Sequence, residues 1–156
     1  ICNTHINQTE NSVVTSLLAV ITDMERVGDH CKNLAGCAEA LERDNVFFSE
    51  SAVEELLQMI DKTKSSYDNA LKALEFSDTT FAYETVRAED IVDDMEEKLR
   101  AGHINRLANN LCNVRSGVRY LDTLTNLERI SDHAMNIAQS VINENRKAQH
   151  FHEVTE

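Results

Sequence analysis

Three pairs of carboxylates stand four residues apart in segments that are predicted to be helical. Residues at i and i+4 project from the same face of an α-helix, about one turn apart. Like charges in that arrangement cost roughly a few tenths of a kcal/mol in an isolated helix, so the pairs are easier to understand if a cation lies between helices. Oxygen ligands from two facing helices suit hard or borderline multivalent metal ions. The candidate ligands are Glu25 with Asp29, Glu89 with Asp93, and Glu128 with Asp132.

A second interpretation of the same carboxylates needs no metal. Arg26 and Arg129 precede Asp29 and Asp132 by three residues, so each aspartate could belong to an ordinary surface ion pair. The acidic run 89–97 could likewise be a solvated helix face. The residue types by themselves leave both interpretations open.

Two histidines and two asparagines accompany the first and third pairs. His30 and His133 directly follow the aspartate of their pair and therefore point to another side of the helix. We expect them to donate hydrogen bonds between helices rather than to bind metal. Asn33 and Asn136 follow the same aspartates by four residues and could orient the carboxylates or complete a metal shell.

No enzyme motif accompanies these residues. None of the six histidines has a glutamate three residues before it, which a ferritin-like di-iron bundle would need. The sequence contains no His-Glu-x-x-His, no Gly-x-Ser-x-Gly and no glycine-rich phosphate loop. Catalysis is therefore not indicated.

The composition indicates which classes of binding partner and which cellular compartment suit the chain. The 156 residues carry a net charge of −12, so nucleic-acid phosphates and anionic lipid surfaces would repel the chain. The longest apolar run, residues 17–21, is far shorter than the ~20 residues of a membrane span. The irregular spacing of the cysteines predicts thiols packed as small hydrophobes in a reducing cytoplasm. These cysteines are Cys2, Cys31, Cys37 and Cys112.

The elements that must position the carboxylates are predicted to be helices. The chain has no proline and only four glycines, which favours long helices with few turns. Apolar residues recur at steps of three and four, and a first helix over about 11–41 carries a broad stripe that we expect to be buried. A capping box at Ser51–Glu54 predicts the second helix, and an N-cap within 77–80 the third. The fourth follows a loop at 109–115, and we expect the polar tail beyond it to fray. The predicted fold is an all-α antiparallel bundle of four long helices.

An internal repeat links the first and fourth helices. Residues 24–35 realign with residues 127–138, which lie 103 positions later, and six of the twelve positions are identical. The identical residues are mostly polar (Glu, Arg, Asp, His, Asn and Ala), whereas core packing would require only apolar residues of suitable size. The repeat therefore indicates a duplicated unit with a duplicated polar task.

The doubled motif E-R-[VI]-[GS]-D-H-x-x-N-[LI]-A, together with Glu89-x-x-x-Asp93, resembles the PhoU fold. That fold is built from two three-helix repeats with E/D-x-x-x-D motifs. The stretches 103–112, 116–122 and 127–129 are similar to the cytoplasmic PhoU-like region at the C-terminus of bacterial sodium/phosphate cotransporter family proteins. The resemblance covers residues 12 to 145.

The resemblance implies a single PhoU-like domain fragment over 1–156, cut from a longer protein. Residues 50–146 would form one complete three-helix repeat. Residues 11–42 would form one extra helix, the last of an incomplete first repeat. Because that helix would lack two packing partners, we expect the chain to form a homo-oligomer.

The functional implication of the resemblance is regulation through protein contacts, without catalysis. The partners would be a transporter membrane domain or phosphate-signalling proteins, at the cytoplasmic face of the membrane. Multivalent metal ions, iron or zinc, would bind the E-x-x-x-D motifs. Glu25 and Asp29 would lack their facing helix, so only the site between the third and fourth helices keeps all its parts. The alternative is a free-standing metal-binding PhoU-type regulator of phosphate uptake and signalling.

Overall fold

The protein is a bundle of four long α-helices. A computed structural model describes the backbone of residues 8–155 and the side chains of residues 11–149. The helices are α1 (Gln8–Arg43), α2 (Glu50–Phe76), α3 (Thr79–Ala108) and α4 (Val114–Thr155), and the described residues contain no strand. The predicted all-α architecture is confirmed. No helix in this part of the chain is long and apolar enough to cross a membrane.

The start of α2 differs from the prediction. Ser49 occupies the N-cap, and its hydroxyl oxygen accepts the backbone N–H of Ala52 at 3.2 Å. The capping box proposed at 51–54 is therefore wrong, because those residues already lie inside the helix. Helix α3 begins within the predicted window, with Asp78 accepting the N–H of Thr80 at 2.7 Å.

The fourth helix is longer than predicted. Its backbone is helical to Thr155, whereas the helix was expected to end near Glu144; the fraying of the tail stays a prediction. In the last turns with described side chains, Lys147 forms an ion pair with Glu144 and donates a hydrogen bond to the hydroxyl of Ser12 on α1. These contacts tie the polar end of α4 to the beginning of α1.

Helix α4 is the central element, because it packs against the three other helices. Helices α2, α3 and α4 surround one apolar core, in which Met59, Val92, Tyr120 and Leu124 are fully buried. Helix α1 lies outside this unit. Its backbone approaches that of α4 alone, and no Cα of α1 lies within 8 Å of a Cα of α2 or α3.

The predicted buried stripe of α1 is only partly buried. Val20 and Val27 face α4 and are buried, whereas Leu17 is 50% and Ile21 59% exposed. Cys31 is exposed for the same reason, although Cys37 is buried as predicted; Cys2 lies outside the described residues. The prediction is wrong for the outer half of the stripe, because within the described residues the backbone of α1 approaches closely only that of α4.

The repeat, whose copies lie 103 positions apart, shows what kind of surface the outer half of the α1 stripe is. Leu17 corresponds to Tyr120 on α4, and Ile21 corresponds to Leu124, both of which are fully buried beneath α2 and α3. The two helices therefore carry equivalent core-type faces, and only the face of α4 is covered within the described residues. The assignment of α1 to an incomplete first repeat stays a prediction.

Candidate metal centre between α3 and α4

Three carboxylates from two helices converge between α3 and α4. Glu89 and Asp93 lie one turn apart on α3, and Asp132 faces them from α4. One oxygen of each lies within 4.8 Å of the oxygens of the other two. Spacing along the helix places the first two together, whereas the packing of α3 on α4 brings in the third.

The negative charges of these three carboxylates repel one another. Partial burial and the neighbouring Asp93 and Asp132 carboxylates raise the pKa of Glu89 from its ordinary value to about 7. Burial and Asp132 also raise the pKa of Asp93, and burial and Asp132 raise that of Glu128. A fully ionised cluster is therefore costly in this protein, and either a proton or a bound cation would relieve it.

Glu128 lies beside the cluster rather than within its closest group. It lines an acidic cleft of about 400 Å³ together with Asp93 and Glu96. Arg100 borders the same cleft, where it pairs with Glu96 and donates a hydrogen bond to the hydroxyl of Thr125 at 2.8 Å. Carboxylates thus dominate the lining of the cleft, which also includes the two arginines Arg100 and Arg129.

The surface ion pair considered as the second interpretation also forms in this copy of the motif. Arg129 contacts Asp132 at 3.1 Å and Glu128 at 3.4 Å, and its side chain is half exposed. Within the described residues, Arg26 forms no corresponding ion pair with Asp29. The arginine neutralises part of the cluster from the solvent side and leaves Glu89 and Asp93 without a cationic partner in the described part of the chain.

The remaining two predicted ligands lie apart from this centre. Glu25 and Asp29 are exposed on α1. They correspond to Glu128 and Asp132 in the repeat. No described helix faces Glu25 and Asp29 in the way that α3 faces Asp132. Of the two predicted carboxylate sites, the described residues therefore form only the one between α3 and α4.

The repeated histidines join α1 to α4, as predicted. His30 donates Nδ1–H to the side-chain oxygen of Asn126 at 2.9 Å, and His133 donates Nδ1–H to the carboxylate of Asp23 at 2.8 Å. The two rings stack with their centroids 5.7 Å apart. These histidines therefore act in packing between helices and do not face the carboxylate cluster.

The prediction for the repeated asparagines is wrong. Asn33 donates its amide N–H to Asn126 at 3.1 Å, and Asn136 donates to Asp23 at 3.4 Å. Both asparagines therefore support the histidine contacts instead of the candidate metal ligands. Asp23 and Asn126 were missed, although they are also 103 positions apart and immediately precede the repeated segments.

A second polar cluster, at the end of the bundle where α3 meets α4, was also missed. Arg106 on α3 makes a two-pronged contact with Glu55 on α2, with both N···O distances 2.8 Å. The hydroxyl of Tyr120 on α4 donates to the same carboxylate at 2.6 Å, and the buried ring of His103 stacks on Tyr120. Glu55 lies 51 positions from Arg106 and 65 from Tyr120, and no local spacing points to this cluster.

The donor chemistry of the carboxylate centre fits a multivalent metal ion. Its ligands are all oxygens, two of them have raised pKa values, and they project from two packed helices rather than from loops. Such a set suits hard or borderline cations. When bound, the ion would supply positive charge that holds α3 to α4; the arrangement contains no nucleophile with an adjacent base.

These features define an all-helical domain with an acidic centre between two helices. The chain belongs to the PhoU family, since the family profile described as PhoU domain matches residues 56–141, more than half of its length. The match covers most of α2, all of α3 and most of α4.

Curated relatives agree with this assignment. Over 129 residues the chain is 28% identical to the phosphate-specific transport system accessory protein PhoU homolog 1 of Thermotoga maritima, covering 83% of this chain and 55% of that protein. It is also 28% identical to the PhoU homolog of Clostridium acetobutylicum, over 83% of this chain and 58% of the relative. The chain thus spans somewhat more than half the length of these relatives. No solved structure gave a significant match.

Proposed function

We propose that this chain is a regulatory PhoU domain that binds a multivalent metal ion, iron or zinc, between α3 and α4. Glu89, Asp93 and Asp132 would hold the ion, with Glu128 beside them. The observation that carries the proposal is the convergence of three carboxylate oxygens within 4.8 Å of one another. The domain acts by binding and by contacts with other proteins, not by catalysis.

The electrostatics of the site support a cation in preference to a solvated acidic face. Carboxylates on a solvated face keep ordinary pKa values, whereas partial burial and mutual repulsion raise the pKa of Glu89 to about 7. A bound ion removes this repulsion and favours the ionised ligands, so metal affinity should rise as the pH rises through that range.

The names of the relatives support the biological setting that we propose. The matched relatives are named as accessory proteins of phosphate-specific transport systems. We place this domain at the cytoplasmic face of the membrane, attached to a sodium-dependent phosphate transporter, with the transporter's membrane domain or phosphate-signalling proteins as partners. The resemblance of residues 103–112 and 116–122 to the cotransporter family supports this choice.

The second candidate is a free-standing PhoU-type regulator, which the names of the curated relatives favour. The reading frame that encodes the chain separates the two candidates. An apolar membrane segment encoded upstream of Ile1 would support attachment to a transporter. A second three-helix repeat preceded directly by a start codon would support the free-standing regulator.

Metal binding is tested by elemental analysis and by calorimetric titration of the purified chain with ferric, zinc and manganese ions. We expect saturable binding at one site, and we expect its loss when Glu89→Gln is combined with Asp93→Asn. The matched control combines Glu25→Gln with Asp29→Asn, which makes the same chemical change in a pair that no described helix faces. If both double variants lose binding equally, or if wild type binds nothing, the proposed site is wrong.

A further inference from the structure

Arg129 is a cation that the chain itself holds against the carboxylate centre. Its Nη1 lies 3.1 Å from Oδ2 of Asp132, and its Nε lies 3.4 Å from Oε2 of Glu128. Asp132 is one of the three converging carboxylates, and Glu128 lies beside them. One guanidinium group thus contacts both carboxylates that α4 supplies to this centre.

The i, i+3 spacing of Arg129 and Asp132 permits this contact but does not ensure it. Arg26 and Asp29 have the same spacing in the first copy of the repeat, and they form no ion pair within the residues that the structure describes. The two copies differ in their surroundings, because α3 adds two further carboxylates next to Asp132. A guanidinium is attracted more strongly where several carboxylates converge. The pairing of Arg129 therefore accompanies the carboxylate centre and not the sequence motif by itself.

Arg129 also lies where an ion would approach the centre. It lines the acidic cleft of about 400 Å³ together with Asp93 and Glu128. The Arg129 side chain is 54% exposed, whereas those of Glu128 and Asp132 are 23% and 28% exposed. The guanidinium is therefore the more solvent-exposed partner, and an ion that approaches these carboxylates through the cleft meets its positive charge.

A bound metal ion and the guanidinium compete for the same negative charge. Two cations a few ångströms apart repel each other, and water screens this repulsion only partly in a site between two helices. The guanidinium is the cation that leaves more easily, because an ion pair with a half-exposed arginine is weak and the long side chain regains rotamer freedom in solvent. A multivalent ion is attracted more strongly than a single positive charge by the combined charge of Glu89, Asp93 and Asp132.

We propose that Arg129 is a tethered counter-ion, which occupies the α4 carboxylates in the metal-free chain and which a metal ion displaces when it binds between α3 and α4. This inference rests on the metal-binding function proposed above. It implies that the arginine lowers the metal affinity of the carboxylates, and that metal binding moves a positive charge from the cleft into solvent. Arg100 does not share this role, because its partners are Glu96 and Thr125, which are not among the proposed ligands.

Removal of the arginine charge tests the effect on affinity. We expect calorimetric titration of Arg129→Gln with zinc to show binding about three- to tenfold tighter than that of wild type. The matched control is Arg119→Gln, because Arg119 forms the same i, i+3 ion pair with Asp122 on α4, outside the carboxylate centre. It changes the net charge equally and should leave the affinity for zinc unchanged. Arg129→Lys keeps the positive charge and should bind zinc more weakly than Arg129→Gln does.

The outcomes separate this inference from the proposed function. If wild type binds zinc and Arg129→Gln binds it with equal or lower affinity, the arginine does not compete with the ion and the inference is wrong, although the metal site stands. Equal tightening by Arg119→Gln would reduce the effect to net charge and would also contradict the inference. If wild type binds no zinc, the inference fails, and the proposed function fails with it when ferric and manganese ions do not bind either. Circular dichroism checks that the variants fold.

Nuclear magnetic resonance of wild type tests the displacement directly. The Nε–H signal of Arg129, assigned by its loss in Arg129→Gln, should shift and exchange faster with water once zinc has saturated the chain, because the contact with Glu128 is broken. The Nε–H signal of Arg119 should stay unchanged. An Arg129 signal that is identical with zinc and with chelator would show that the ion and the arginine bind side by side, and it would overturn the proposal.

Discussion

His133 on α4 donates a hydrogen bond to the carboxylate of Asp23 on α1 at 2.8 Å, and His30 on α1 donates an equivalent bond to Asn126 on α4 at 2.9 Å. In one contact α4 supplies the histidine and α1 the acceptor, and in the other α1 supplies the histidine and α4 the acceptor. Since the histidines, and also their acceptors, are 103 residues apart, the duplicated sequence forms a locally two-fold junction between its own two copies. Some of the polar residues that are identical in the two copies therefore form this junction, and others belong to the carboxylate centre.

The junction predicts a measurable coupling between Asp23 and His133. Asp23→Ala removes the acceptor of both His133 and Asn136 and should lower the free energy of unfolding by about 1 kcal/mol. In a double-mutant cycle with His133→Ala, measured by urea denaturation, we expect a coupling energy of about 1 kcal/mol. Asp23→Asn keeps an acceptor and should cost less. Strictly additive effects of the two alanine substitutions would show that the contact contributes nothing to stability.

Two helical glycines should respond oppositely to alanine. At Gly28 an added Cβ meets no atom within 4 Å, so Gly28→Ala should stabilise the chain by about 0.5–1 kcal/mol through helix propensity. At Gly117 the Cβ would lie 2.8 Å from Nε2 of His103 and 3.1 Å from Leu107, so Gly117→Ala should destabilise by about 1–2 kcal/mol. Thermal melting of both variants checks the signs. A stabilising Gly117→Ala would mean that the buried His103 ring moves freely.

The Glu55 cluster should contribute to stability at neutral pH. Burial alone would raise the pKa of Glu55, but the hydrogen bonds from Arg106 and Tyr120 outweigh it and hold the pKa below its ordinary value. A depressed carboxyl pKa contributes stability above the unfolded-state pKa, and that stability is lost as the pH falls through the folded value. Tyr120→Phe should cost about 1 kcal/mol at pH 7. In urea denaturation this cost should shrink as the pH falls below the ordinary glutamate pKa of 4.5; a constant cost at every pH would contradict the assignment.

The carboxylate centre predicts the opposite pH dependence for metal-free protein. Because the pKa of Glu89 is raised to about 7, the folded chain binds more protons than the unfolded chain between the ordinary value of 4.5 and 7. Stability from this residue therefore falls as the pH rises through that window. With chelator present, Glu89→Gln should be more stable than wild type by about 1 kcal/mol at pH 8, allowing for solvent screening, and about equal at pH 5. A difference that does not change with pH would contradict the raised pKa.

Neutralising the α4 ligands should have opposite effects with and without metal. Glu128→Gln with Asp132→Asn removes repulsion and should slightly raise the melting temperature in chelator. With ferric, zinc or manganese ions, wild type should gain stability by mass action and the double variant should not. If wild type melts at the same temperature in every condition, the metal hypothesis fails. The ion pair between Arg129 and Asp132 would then be the role of these residues.

Much of this architecture was predictable because it depends on local chemistry. The spacing of apolar residues and the absence of proline predicted four long helices, and the i, i+4 rule placed Glu89 beside Asp93 before any packing was known. The position of His30 and His133 directly after an aspartate also predicted that they point away from the carboxylates and form hydrogen bonds between helices, which is confirmed.

What the sequence by itself determined is therefore the helices, their apolar faces and the carboxylate pairs. Only the tertiary structure decided which face is covered and which pair meets a third carboxylate. Asp132 joins Glu89 and Asp93 because α4 packs on α3, while the equivalent Asp29 stays exposed because no described helix faces it as α3 faces Asp132. Similarly, Glu55 meets Arg106 and Tyr120 across more than 50 residues of chain. Helical periodicity is a property of neighbouring residues, whereas the number and identity of a helix's neighbours depend on long-range packing that no local spacing encodes.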